Sequence, residues 1–194
     1  MKMPFGGLTL LDYAINAALV ISNIAIRKQD KAGLLTFAEQ QNSLLKASNQ
    51  PSQMSKIQEM LYRQNTTFME SDYSSLLLSV RRQITQRSLL ILFTNFETLS
   101  ALHRQLPYLR NLAKNHLLVV VFFLNTELDQ LINGEQNDTE EIYIHTIAEK
   151  FGYEKRLIVK ELQKYGIYSV LTTPENLTIN TINKYLELKA RAMI

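Results

Sequence analysis

The chain has 194 residues, of which 46% are hydrophobic and 20% charged; that length most often forms one domain with a buried core, and the composition excludes a disordered chain. With no cysteine, disulfides, thiolate metal sites and a cysteine nucleophile are excluded, which fits a reducing compartment. The net charge of +3 is carried by scattered side chains, the closest pairs being Arg27-Lys28, Arg81-Arg82 and Lys155-Arg156; a nucleic-acid binder gathers its charge in a stripe, so no nucleic-acid partner is expected.

Residues 1–8 contain Pro4, Gly6 and Gly7 and read as a loop entering a helix, not as a signal peptide. Apolar residues from Leu11 to Ile26 recur near a 3.6-residue period and predict a helix over 11–28, buried on more than one side, with Thr9 at its start. A buried strand is expected at 32–37, a short edge strand at 43–46, helices at 51–64 and 72–84, and an apolar strand at 88–94. A helix at 96–115 is expected to bend near Pro107, which removes a backbone donor. The run 117–123, Leu-Leu-Val-Val-Val-Phe-Phe, is the clearest strand and apolar on both faces, as in a parallel sheet. A short helix at 126–132, a loop at 133–138 and a long helix at 139–165 broken at Gly152 follow, with Gly166 as its cap. A strand at 167–171 and a helix at 178–191 close the chain. The longest unbroken apolar run is 117–124, well short of the roughly 18–20 residues of a membrane span, so no span is expected.

Strands alternating with helices predict an α/β fold with a largely parallel sheet. In doubly wound folds of that kind a central strand normally opens the chain, and ligands sit beyond the C-terminal ends of the strands. Here the first expected element is a helix.

The stretches LDYAINAALVISNIAIRKQDKAGLLTF (11–37), ESDYSSLL (70–77), SLLILFTNFE (88–97) and NKYLELKARAMI (183–194) are similar, in order, to blocks of the domain-of-unknown-function family 58, von Willebrand factor A-like proteins of bacteria. The resemblance spans nearly the whole chain and implies the C-terminal part of a longer member. It implies an α/β, von Willebrand factor A-like (Rossmann-type), doubly wound and mainly parallel sheet that lacks its first central strand. Residues 1–194 are accordingly expected to form a single truncated domain, with Met1 either an internal methionine taken as a start or the point at which a longer chain was cut. Loss of that strand would leave edges at 32–37 and 88–94 unpaired, so closure of the gap or homo-oligomerisation through the sheet edges is expected.

Such domains hold a divalent cation with three loops. The first, an Asp-x-Ser-x-Ser loop, would lie upstream of Met1. By the resemblance, Ser71 stands at the threonine of the second loop and Asn95 at the aspartate of the third. An amide oxygen is a neutral, weaker ligand for Mg²⁺ than a carboxylate. Ser71 and Asn95 are thus read as vestigial metal positions. Asp72 is an outer-shell candidate whose ordinary role is to cap the helix after it. No metal is expected in this chain, and Mg²⁺ only if the upstream loop is supplied.

His103, His116 and His145 lack metal-ligand spacing, and no nucleophile elbow or phosphate-binding glycine loop occurs. The acidic stretch 135–141 and Tyr143, Tyr153, Tyr165 and Tyr185 read as solvated surface and as core or rim. No catalytic residue is assigned. The resemblance implies a non-enzymatic protein-interaction domain working with a MoxR-type AAA+ ATPase in assembly or maturation of other proteins. The alternatives are a metal-dependent ligand-binding domain and, more distantly, a hydrolase or nuclease resting on Glu70 and Asp72. A cytoplasmic location is expected, any membrane anchor belonging to an upstream part.

Overall fold

A computed structural model describes residues 4–37, 43–63, 71–124 and 139–193, the side chains of 139–144 excepted. The helix expected at 126–132, the loop at 133–138 and Glu70 lie outside these residues. The chain divides into two compact units, one of residues Met1–Ser88 with Leu177–Ile194, the other of Leu89–Asn176.

The first unit opens with a correction to the expected loop. Two two-residue strands, β1 (Pro4–Phe5) and β2 (Leu8–Thr9), pair antiparallel across Gly6-Gly7. They pair with each other alone among the described residues. Helix α1 (Leu10–Arg27) starts on a capping box: the Thr9 hydroxyl accepts from the Asp12 amide at 3.2 Å while the Asp12 carboxylate accepts from the Thr9 amide at 2.8 Å. It packs on the C-terminal helix, on α2 and on β3, so more than one of its sides is covered. By length and composition α1 is the one described helix apolar enough to cross a membrane, at a mean hydropathy of 1.3, with a third of it buried. A search for unbroken apolar runs overlooks it because Asp12, Asn16, Ser22 and Asn23 interrupt the sequence without making the helix polar.

Strands β3 (Ala32–Thr36) and β4 (Ser43–Ser48) form an antiparallel pair. The expected burial of β3 holds only at Ala32; its other residues are half-buried or exposed. The register slips between Ala32 and Leu34, and a Cβ on Gly33 would come within 2.8 Å of the Ala47 nitrogen and the Leu45 oxygen, so only glycine fits there. Gln53, buried at the start of α2 (Gln53–Tyr62), donates to the Ala32 and Lys46 carbonyls, both at 2.8 Å. Ala32, Ile57 and Leu61 form a small core with Ile15, Ala18, Leu19, Ala25, Ile26, Leu34 and Leu45. Helix α3 (Tyr73–Gln83) buries Tyr73, Leu76, Leu77 and Val80, and the Tyr73 ring meets Phe37 edge-on at 5.5 Å.

In the second unit, β5 (Leu89–Phe93), β6 (Leu117–Phe123) and β7 (Tyr168–Thr172) form a parallel sheet in that order. Parallel neighbours need long crossovers, supplied by α4 (Leu99–Asn115) and α5 (Thr139–Lys164). This is an α/β arrangement; among the described residues the parallel sheet has three strands, and two antiparallel ribbons precede it in the chain. All seven residues of β6 are buried, each full burial of a large apolar side chain contributing about 1.5–3 kcal/mol. Helix α4 buries Leu102, Leu106, Leu109 and Leu112 and runs on through the exposed Pro107. Helix α5 is continuous through Gly152, where an interruption was expected; glycine keeps its N–H, so it weakens a helix without ending it. At its end the Ile167 amide reaches the Leu162 carbonyl at 3.2 Å and the Gly166 amide the Gln163 carbonyl at 3.0 Å, a Schellman closure. The last helix, α6 (Leu177–Ala190), belongs to the first unit and packs on α1.

Candidate functional site

Parallel strands direct their C-terminal ends, and the loops that follow, to one edge of the sheet, where α/β proteins place ligands. Here that edge includes residues 94–98, between β5 and α4. Thr94 is buried and its amide donates to the Val121 carbonyl at 3.0 Å, so the loop begins fixed to β6. Thr98 ends it as the α4 N-cap, its hydroxyl accepting from the Ala101 amide at 3.2 Å.

Two consecutive residues of α5 hold the loop between those points. The Glu154 carboxylate accepts from the Leu99 amide at 2.7 Å, placing a negative charge at the positive end of α4. The Lys155 ammonium donates to the Phe96 carbonyl at 2.6 Å and to Asn95 Oδ1 at 2.9 Å. It lies 3.6 Å from a Glu97 carboxylate oxygen and 5.8 Å from the centre of the Phe122 ring. Lys155 is only 4% exposed. Burial pushes its ammonium below the usual lysine range, and the charge and hydrogen bond of Glu97 pull it partly back. Asn95 also donates through Nδ2 to the exposed Glu97 carboxylate. The loop therefore presents Asn95 and Glu97 in one fixed arrangement.

The sequence-derived positions fall in different units. Ser71 and Asp72 are half-buried in the first, ahead of α3, and Asn95 is in the second. Asp72 caps α3: its Oδ1 accepts from the Ser74 hydroxyl at 2.6 Å and from the Ser74 and Ser75 amides at 2.9 and 3.0 Å. These bonds, the Ser74 hydroxyl first, hold its carboxyl below the ordinary aspartate value. Of the histidines, His103 is exposed on α4, 3.9 Å from Glu161. His145 is half-buried on α5. His116 is buried at the end of α4, and burial lowers its imidazole from the usual value. Among the described residues no three histidine, aspartate or glutamate side chains gather where one metal ion would bind them.

The arrangement at Asn95 does not fit a divalent cation. Its amide oxygen already receives the Lys155 ammonium. A divalent ion about 4 Å from that charge would meet a repulsion on the order of 8 kcal/mol at an effective dielectric constant of about 20. The residues that organise this loop, Glu154 and Lys155, were not singled out in the sequence beyond the Lys155-Arg156 pair. A signal for Lys155 exists, because it falls in helical register with Ala148, Ile158 and Leu162, all buried.

A second surface feature lies in the first unit. Ile15 and Leu19 of α1 with Leu61 and Tyr62 of α2 line a shallow apolar groove, and Tyr62 is 94% exposed at its rim. Comparison of the chain with protein-family models and with curated proteins finds no match in either.

Proposed function

We propose that this chain is a von Willebrand factor A-like domain acting as a non-enzymatic protein-interaction module, with a MoxR-type AAA+ ATPase as partner in the assembly or maturation of other proteins. The observation that carries the reading is the loop after β5. It stands at the C-terminal edge of the parallel sheet, is held by Glu154 and Lys155, and presents the exposed Glu97 carboxylate with the Asn95 amide bonded beside it. A surface ordered before its partner arrives loses less entropy on binding. In the same reading the sheet continues by pairing of a further strand on the free edge of β5, which has β6 as its sole strand partner among the described residues. The metal-dependent alternative draws no support from Asn95, whose oxygen is taken by an ammonium.

The test is capture of purified MoxR-type ATPase by the full-length protein in the nucleotide-free, ADP and ATP-analogue states. Association in at least one state is expected, weakened about tenfold or more by Glu97→Arg, since charge reversal at an interface opposes the same partner surface. No association in any state sinks the proposal.

A further inference from the structure

We infer that Lys155 is a built-in cation: its ammonium occupies the oxygen-lined position in the β5–α4 loop that a bound metal ion would otherwise fill, and it fixes the loop without one. An ammonium has three donors and no acceptor. The Phe96 carbonyl and Asn95 Oδ1 take two of them at 2.6 and 2.9 Å, and a Glu97 carboxylate oxygen at 3.6 Å lies beside the same nitrogen. A backbone carbonyl, an amide oxygen and a carboxylate are the oxygen donors from which hard-cation sites are made. Here they surround a covalently tethered charge that is 4% exposed. The tether comes from α5 next to Glu154, which fixes the far end of the same loop through the Leu99 amide at 2.7 Å. One helical turn of α5 therefore holds both halves of the loop. Lys155 is a positioning residue: it acts on the half-buried Asn95 and the exposed Glu97 through their conformation. The purpose of that conformation rests on the recognition role proposed above, but the device itself does not.

The experiment is hydrogen exchange at the Phe96–Leu99 amides of the full 194-residue chain, without any partner, so that its outcome is independent of ATPase capture. In the native chain, Mg²⁺ and a chelator should leave the loop's exchange unchanged; faster exchange on chelation overturns the inference. Lys155→Ala should accelerate exchange at these amides about tenfold while β6 amides keep their rates. Millimolar propylammonium, which restores the deleted stem and its N–H donors, should reverse most of that acceleration, and tetramethylammonium, which has the charge but no donors, should not. Unchanged exchange in Lys155→Ala, or acceleration that propylammonium leaves in place, overturns the inference, the latter because packing alone would then explain the effect. Should that variant fail to fold, Asn95→Ala at its half-buried position decides: about threefold faster loop exchange is expected, and none refutes the built-in cation.

Discussion

In each unit a charged side chain is held by partners distant in sequence, and the two have opposite polarity. Asp30, in the turn after α1, accepts hydrogen bonds from Tyr185 and Lys189 of α6. Lys155, on α5, donates to Asn95 and Phe96 with Glu97 alongside. The side chains of Asp30 and Lys189 keep 39% and 35% of their surface in water, whereas that of Lys155 keeps 5%. Partial burial pushes the Asp30 carboxyl up, but the bonds from Lys189 and Tyr185, with the Lys189 and Lys28 charges, outweigh it and hold the group below its ordinary value. Burial and the bond to Asp30 raise the Tyr185 phenol. The comparison teaches that partners alone do not set the energetic weight of a charge. A half-wet ring rehydrates when it is broken; breaking the one around Lys155 strands the buried Phe96 carbonyl.

The largest effect should come from breaking the buried ring. Lys155→Met keeps the length of the side chain and removes its donors, and it should lower stability by about 2–3 kcal/mol, against about 1 kcal/mol or less for Asp30→Ala. Urea midpoints of the two variants check this, and equal losses would show that burial does not set the weight of these charges.

Acid titration should separate the units next. His116 is buried with Nδ1 unpartnered, and burial holds its imidazole below the ordinary 6.5. The unfolded chain then takes up this proton more readily than the folded one. Stability is complete above pH 6.5 and falls as the pH drops through the folded value. Asp30 is likewise held below its ordinary 3.8, so its contribution is complete above that pH and is lost only as the pH falls further. Thermal midpoints against pH should show His116→Leu flattening the arm just below pH 6.5 and leaving the Asp30 arm in place. A profile unchanged by His116→Leu would show that the buried imidazole does not govern that arm.

The smallest effects are expected at two helix ends built the same way, one in each unit. Gln29 follows α1 at φ 63° and Gly166 follows α5 at φ 68°. In both, the next amide closes back onto the helix, Asp30 to the Ala25 carbonyl at 2.9 Å and Ile167 to Leu162 at 3.2 Å. A side chain in this left-handed region costs about 1–2 kcal/mol relative to glycine. Gln29→Gly should therefore stabilise by about 1 kcal/mol and Gly166→Ala destabilise by about the same, each read from its urea midpoint. A Cβ on Gly166 would meet nothing within 4 Å, so backbone conformation is the sole cause being tested there.

What the sequence made legible followed from how many residues carried each signal. The seven apolar residues of β6 are found at 117–123 as expected, because a strand covered on both faces has no polar position to confuse it. The six described helices were legible to within a few residues because their apolar positions recur at the helical period. The run at 32–36 looks similar but pairs in an antiparallel ribbon with only Ala32 buried; a short apolar run does not say how many layers will cover it. The ribbon at 4–9 was hidden because proline and glycine mark a turn without announcing two-residue strands on either side. At the site, Asp72 was readable as a cap from its place before α3. Asn95 drew notice only through a resemblance, and Lys155 not for its chemistry, since a lone charge on an apolar helical face gains its meaning from a loop about sixty residues away, a separation no local pattern encodes.

The central position of β6 has a consequence during synthesis. Its partner β5 precedes it, but β7 begins at Tyr168, 45 residues after Phe123. At about 5–20 residues per second, translation leaves one edge of Leu-Leu-Val-Val-Val-Phe-Phe unpaired for roughly 2–9 seconds. An apolar, uncharged, proline-free heptamer of this kind is the type of segment that zips onto copies of itself. Nascent chains on one message would expose it side by side, so slowing ribosomes between β6 and β7 should lower the yield of native protein.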